Sequence, residues 1–400
     1  MSEQISLETF RTRARAFLEN NAAHREEAEF EWGHGDDRVS LIPESTLEED
    51  LKELAEARAW SQKVFDAGFG WITGPPEFGG GGLDREYERC WYFEQRNFDT
   101  PSQTIFGIGL GMVAPTILTH GTKDMKVKYL KAMHRGDIVG CQLFSEPGAG
   151  SDLAGLQTRA VRDGDDWIVN GQKVWTSFAH LSDIGEIICR TDPDLPKHKG
   201  LTGFIVDMKS PGIEVRPLRQ MTGGSSFNEV FFTDVRIPDS NRLGEINGGW
   251  SVALTTLMNE RAAIGGGGGG TGSMETDRLI ELVRQMGKKD DAVIRQQLAQ
   301  VIINSRVSSF NNLRGMAKVE AGQAPGPEMS IAKMALTRNL LLLCELVSNV
   351  LGPSIVADTG RWGTYSWGEL VLGVPGLRVA GGTDEVLRNI VGERVLGLPK

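Results

Sequence analysis

The chain has 400 residues, a formal net charge of −10 and 40% hydrophobic residues. That length supports two or three domains of about 150 residues with a sizeable core, and the acidic balance argues against non-specific nucleic-acid binding while leaving room for an anionic ligand held by local donors. The four cysteines (Cys90, Cys141, Cys189, Cys344) are scattered, without a C-x-x-C pair, which excludes a disulfide framework or zinc site and fits a reducing cytoplasm.

Residues 1–136 read as helical. Thr46 with Glu48 and Glu49 opens a helix-favouring run to Phe65. Gly68–Gly82, with Pro75 and Pro76, breaks it, and a second helix covers about 84–97. Met125, Tyr129, Leu130 and Met133 then recur at near-helical spacing. Residues 137–240 read as strands: Arg159–Val161, Trp167–Val169, Lys173–Trp175, Gly203–Val206, Ile213–Val215 and Val230–Ile237. Asp163-Gly164 and Asn170-Gly171 stand between the first three as hairpin turns. From about residue 248 the pattern is helical again. Asp290 and Asp291 cap a helix to about Glu320, with Gly322 beyond its end, and Ser330 starts another that stops at Gly352-Pro353. The start, Met1-Ser2-Glu3-Gln4, has no signal-peptide pattern. The most apolar stretch, Leu340–Leu351, is shorter than the roughly 20 residues of a membrane helix and contains Glu345. The expectation is an α+β protein of the cytoplasm, without membrane insertion. It has an N-terminal helical domain over 1–136, a middle β domain over 137–240 and a C-terminal helical bundle over 241–400.

Two segments stand out. Cys141-Gln142-Leu143-Phe144-Ser145-Glu146-Pro147-Gly148-Ala149-Gly150-Ser151-Asp152 is followed about twenty residues on by Asn170-Gly171-Gln172-Lys173-Val174-Trp175-Thr176-Ser177. Taken residue by residue, Trp175 is a half-buried strand aromatic, the serines are strand ends and Gly-Ser-Asp is a tight turn. Taken together, the two segments resemble the paired motifs of the acyl-CoA dehydrogenase family. The resemblance extends through Asn228–Pro238 and Gly382–Pro399, and so over nearly the whole chain. It implies that family's fold, with a four-helix bundle at the C-terminus.

The resemblance also implies FAD as cofactor. A flavin ring needs an apolar wall and a few placed donors along one edge. Trp175 would be the wall, Ser145 and Ser177 would donate to the pyrimidine edge and the N5 region, and Phe144 would offer its backbone N–H. Gly150 lets the backbone approach a ligand closely, and Ser151 would face the pantetheine and phosphate side of a CoA thioester. Gly382 and Thr383 would touch the cofactor's phosphates or ribityl chain.

The family's reaction removes a proton from the α-carbon of an acyl-CoA and a hydride from its β-carbon, giving the 2-enoyl-CoA. It needs a general base and groups that polarise the thioester carbonyl. Many members carry the basic glutamate just before the C-terminal Gly-Thr, where this chain has Gly381. Isovaleryl-CoA-type members carry it on the helix after the β domain, before an arginine, and Leu257-Met258-Asn259-Glu260-Arg261 matches that location. Glu260 is then the candidate base, Arg261 lies on the substrate side, and Gly381 offers its backbone N–H to the thioester oxygen. The glycine run Gly265–Gly270 reads either as a flexible loop or as a broken, closely packed helix that widens the acyl pocket.

Two departures bear on assembly. The family's Arg-x-x-Phe-Gly segment, which reaches a neighbouring subunit's flavin, is reduced here to Val283-Arg284-Gln285-Met286-Gly287, with Arg284 as the remaining cofactor candidate. The Gln-x-x-Gly-Gly partner is altered to Asn349-Val350-Leu351-Gly352-Pro353. The partners implied are an acyl-CoA, an electron-transfer flavoprotein, and either copies of this chain as a dimer of dimers or a homologous subunit in a heteromer. The alternatives are a non-catalytic or co-catalytic subunit, or an acyl-CoA oxidase that uses oxygen.

Overall fold

The computed structural model describes residues 5–26, 30–41, 44–265, 276–320 and 329–399. The chain forms two compact units. The first comprises Met1–Ala28, Ser45–Leu218 and Ser225–Thr256; the second comprises Glu29–Glu44, Arg219–Gly224 and Leu257–Lys400.

The first unit opens with α1 (Leu7–Asn21), capped by the Ser6 side chain, which accepts from the Thr9 amide. A short strand, β1 (Ala23–His24), follows. Then comes α2 (Leu47–Asp66), opened by a reciprocal capping box between Thr46 and Glu49. After α3 (Arg85–Gln95), β2 (Phe98–Asp99) pairs antiparallel with β1. A π-helical turn, Gly109–Val113, leads into α4 (Ala114–His120) and then α5 (Lys123–Arg135). Phe10, Trp60, Phe69, Trp91 and Phe98 are buried in one aromatic cluster, in which the Phe69 and Trp91 rings stack at 4.7 Å.

The sheet of this unit contains β3 (Gly140–Leu143), β4 (Arg159–Asp163), β5 (Asp166–Ser177), β6 (Ile184–Arg190), β7 (Leu201–Asp207), β8 (Ile213–Leu218), β9 (Phe227–Pro238) and β10 (Arg242–Leu243). Its order is β10-β7-β6-β4-β5-β9-β8, and β3 runs parallel to β6. Every residue of β6 is buried, as expected for a strand in the middle of a sheet covered on both faces. Asp163-Gly164 begins a two-residue turn, with Asp163 opposite Asp166. Asn170-Gly171 does not turn the chain. The two strands expected on either side of it are one, the twelve-residue β5, whose register against β9 shifts between Val169 and Gly171. The Asn170 side chain is held by Asp234, donating to its carboxylate at 2.9 Å and accepting from its amide at 2.9 Å. The Asn-Gly pair therefore makes a bulge instead of a hairpin.

α6 (Gly249–Gly265) follows the sheet. The second unit then contains α7 (Thr276–Gln285), α8 (Ala292–Glu320), α9 (Met329–Leu351), α10 (Trp367–Val379) and α11 (Asp384–Arg394). Asp291 starts α8 as expected, its carboxylate accepting from the amides of Val293 and Ile294. Gln297, near the start of α8, bonds Glu345 and Asn349, near the end of α9, so the two helices run antiparallel. Their shared core includes Leu282, Val301, Leu340, Leu343, Val347 and Trp367. By length and composition Ser330–Ile355 is long and apolar enough to cross a membrane, a longer span than the sequence suggested, but its leucines at 340, 343 and 346 belong to this core. Gly322 and Gly266–Gly270, the latter assigned to a loop or a pocket-widening helix break, lie outside the described residues. The architecture is α+β, with helices before and after the sheet, as expected.

Candidate active site

In the first unit, β3 delivers Phe144 and Ser145 to a tight turn at Glu146-Pro147-Gly148-Ala149, closed by reciprocal amide–carbonyl bonds of 3.0 Å between Glu146 and Ala149. Beneath the turn lies an ion pair. The Lys173 side chain, fully buried, donates from Nζ to Glu146 Oε1 at 2.9 Å and to the Phe144 carbonyl at 3.0 Å. Glu146 also accepts from the amides of Gln157 (2.6 Å) and Thr158 (2.9 Å). Burial pushes the Glu146 carboxyl up, but the Lys173 ammonium and the amide donors outweigh it and hold the carboxyl below its ordinary value. Burial lowers Lys173, and Glu146 opposes that shift. This pair joins the two sequence motifs: Glu146 belongs to one and Lys173 to the other.

Two residues beyond Lys173, β5 bulges again. The register against β9 shifts between Lys173 and Thr176, and Trp175 takes a left-handed φ of 61°. A tryptophan seldom adopts that conformation, and where a fold imposes it the strain calls for a functional reading. The result is an indole that is 58% exposed, set edge-to-face against Phe227 at 6.0 Å. The Val174 amide donates to the Ser145 carbonyl at 2.9 Å, so Ser145 and Trp175 are held close. Phe144 is buried and Ser145 and Ser177 are half-buried; Gly150 and Ser151 are exposed. At Gly148 and Gly150 an added Cβ would meet nothing within 4 Å, so nothing within the chain requires glycine there. An exposed indole, and glycines that leave their backbone open, suit a flat aromatic cofactor approached closely by backbone.

In the second unit, Glu260 and Arg261 are half-buried on the last turns of α6. Arg261 Nε is buried without a hydrogen-bond partner among the described residues, and burial lowers its pKa, assisted by Arg394 and opposed by Glu260. Lys333, on α9, is a second cation within electrostatic reach of Glu260. Its side chain is fully buried, and Nζ donates to the carbonyls of Arg378 (3.0 Å) and Gly382 (2.8 Å). Gly381 and Gly382 both have left-handed φ, 65° and 97°, which suits glycine and penalises any residue with a Cβ. Thr383 caps α11, its hydroxyl accepting from the Val386 amide at 3.2 Å. Asp384 accepts from Thr337 Oγ1 and from Arg378 Nε, both at 3.0 Å.

Within this unit Glu260 lies within electrostatic reach of both Arg261 and Lys333, and Lys333 donates to the Gly382 carbonyl. Arg284 is placed differently. It sits in the last turn of α7, mostly exposed, 3.4 Å from Glu281. Met286, in the same segment, packs against the hydrophobic core. Lys173 and Lys333 were not singled out from the sequence as site residues. The signal was present in each case: a lone lysine at an inward strand position between Gln172 and Val174, and a lone lysine between Ala332 and Met334 in an apolar helix.

Profiles of the acyl-CoA dehydrogenase N-terminal, middle and C-terminal domains match residues 6–137, 141–235 and 247–396. The chain belongs to the acyl-CoA dehydrogenase family. As a member of that family it is an oxidoreductase. Acyl-CoA dehydrogenase FadE34 of Mycobacterium tuberculosis is 43% identical over 289 residues, which are 72% of this chain and 39% of that protein. The chain therefore spans well under half of that relative. Acyl-CoA dehydrogenase IpdE1 of the same organism is 36% identical over 346 residues, covering 86% of this chain and 89% of the relative. A solved steroid ACAD, Tcur3481–Tcur3483, superposes with a TM-score of 0.74 at 26% identity, covering 100% of this chain and 99% of its own.

Proposed function

We propose that this chain is an FAD-dependent acyl-CoA dehydrogenase in which Glu260 is the general base. The observation that carries the reading is the placement of carboxylate and cations in the second unit. Gly381 has no side chain to act as base, while Glu260 is half-buried beside Arg261 and within reach of Lys333. Bound FAD supplies the acceptor for the hydride that leaves the β-carbon. Glu260 takes the α-proton, and the developing negative charge on the thioester oxygen falls to backbone donors of the Gly381–Thr383 turn. Trp175 provides an apolar wall, and Ser145 and Ser177 provide hydroxyl donors at the flavin edge. Arg261, whose Nε has no hydrogen-bond partner among the described residues, would serve the anionic side of the substrate. An electron-transfer flavoprotein would be the electron acceptor.

The test is anaerobic mixing of the FAD-loaded protein with a panel of straight-chain, branched and sterol-derived acyl-CoAs. The steroid ACAD among the similar structures motivates the last group. Flavin bleaching with formation of an enoyl thioester is expected, and Glu260→Gln slows the bleaching by about 10²–10⁴ while retaining FAD. Bleaching by Glu260→Gln at the parent rate places the base elsewhere.

A second reading is favoured by Arg284, which is paired with Glu281, and by Met286, which is packed into the core. The cross-subunit flavin contact is then made by a homologous partner in a heteromer. FAD bound at well below one per chain in the isolated protein, rising on addition of a homologous subunit, supports it over the homo-oligomer.

A further inference from the structure

We propose that Lys333 is a positioning residue that holds the Gly381-Gly382-Thr383 turn in its ligand-facing conformation, an inference that rests on the functional reading above. A fully buried lysine needs a reason, because an apolar side chain of the same length fills the same space without removing an ammonium from water. Here the reason is visible in the partners. Lys333 Nζ donates to the carbonyls of Arg378 and Gly382 and stands 3.8 Å from Asp384 Oδ1. Arg378 lies in the last turn of α10, where carbonyls have no partner within the helix. Gly382 is the second of two consecutive left-handed glycines, a turn whose own backbone does little to fix its direction.

Thr337, one helical turn after Lys333 and on the same face of α9, donates to Asp384, and Asp384 also accepts from Arg378. Lys333, Arg378, Asp384 and Thr337 therefore form a closed polar ring. It ties the end of α10, the glycine turn and the start of α11 to one face of α9. The geometric consequence concerns a single peptide unit. In a trans peptide the carbonyl of one residue and the N–H of the next point in opposite directions. With the Gly382 carbonyl turned towards Lys333, the Thr383 N–H points away from it, towards the other side of the turn. Lys333 thereby aims a backbone donor that it never touches.

The test uses the full chain and four variants: Lys333→Met, Lys333→Arg, Thr337→Val and, as a packing control in the same unit, Leu340→Ala. Thermal unfolding and far-UV circular dichroism establish that each folds. FAD affinity is read by quenching of flavin fluorescence, and exchange of the amides from Ala380 to Leu387 is read by hydrogen–deuterium mass spectrometry. Lys333→Met is expected to weaken FAD binding at least tenfold and to speed exchange in that segment. Lys333→Arg, which retains several N–H donors, restores binding to within about threefold of the parent. Thr337→Val gives a smaller loss in the same direction, and serves if Lys333→Met does not fold. Leu340→Ala lowers the melting temperature without either effect. Unchanged binding and exchange in Lys333→Met, or in Thr337→Val where it stands in, overturns the proposal, as does an equal effect of Leu340→Ala. If the parent takes up no FAD either alone or with a homologous subunit, the functional reading fails. The exchange measurement then still decides the role of Lys333 in holding the turn.

Discussion

The Lys173 ammonium has its two hydrogen-bond partners, Glu146 and the Phe144 carbonyl, in and just before the turn after β3. Removing one member of such a buried pair leaves the other charged and uncompensated, at a cost of about 3–5 kcal/mol. Lys173→Met is therefore expected to lower the melting temperature markedly in calorimetry, and Glu146→Gln likewise, whereas the double variant recovers part of the loss. A simple sum of the two single losses would show that the pair is not coupled. Glu186 behaves differently. It is fully buried on β6, accepts from Thr256 Oγ1 at 2.6 Å, and burial pushes its carboxyl up to about 8. Its ordinary value is 4.5, so between these pH values the folded protein holds a proton that the unfolded chain has released. Stability is undiminished below about 4.5 and falls as pH rises to about 8, by at most roughly 1.4 kcal/mol per pH unit. Glu186→Gln removes that dependence. Melting curves from pH 4.5 to 8.5 are expected to run flatter for the variant, and parallel curves would contradict the assignment.

At the scale of elements, β5 shows what the sequence reveals and what it conceals. The helix starts at Thr46 and Asp291 and the turn at Asp163-Gly164 depend on local chemistry, and they are legible because side chain and backbone satisfy each other within a few residues. Asn170-Gly171 has the same local chemistry as a hairpin turn, yet its outcome is set by Asp234 and Thr158, which are distant in sequence. A Cβ on Gly171 would stand 2.4 Å from Thr158 Oγ1. Gly171→Ala is accordingly expected to destabilise the protein by about 1–3 kcal/mol through overpacking, measured by urea denaturation. A neutral result would mean that the bulge relaxes freely. The second bulge of the same strand holds Trp175, whose exposure and left-handed backbone are properties of sheet register that no residue pattern states.

For the whole molecule, the order of helices, sheet and helices was readable because periodicity changes from helical to alternating and back. The two motifs were readable because the residues of each are contiguous in sequence. The buried cations Lys173 and Lys333 left only the mark of a lone lysine at an inward position, because a lysine takes its role from carbonyls and carboxylates brought to it by tertiary packing. Assembly is the level at which the functional reading makes its last demand. Ile303, Val307 and Phe310 recur on one face of α8 and are exposed, flanked by exposed Val293 and Leu313. A helical stripe of this kind, about two turns of apolar side chains facing water, suits an interface with another chain. The family resemblance points to a second copy of an acyl-CoA dehydrogenase subunit as the occupant. Light scattering at micromolar concentration is expected to give a mass that is a multiple of 43.7 kDa, and Phe310→Glu, which places a charge within the stripe, is expected to shift that mass towards one chain while leaving the melting transition cooperative. A parent protein that runs as a monomer refutes assembly of copies and leaves the heteromer as the reading to test. A variant that assembles like the parent moves the interface to another face of the helices.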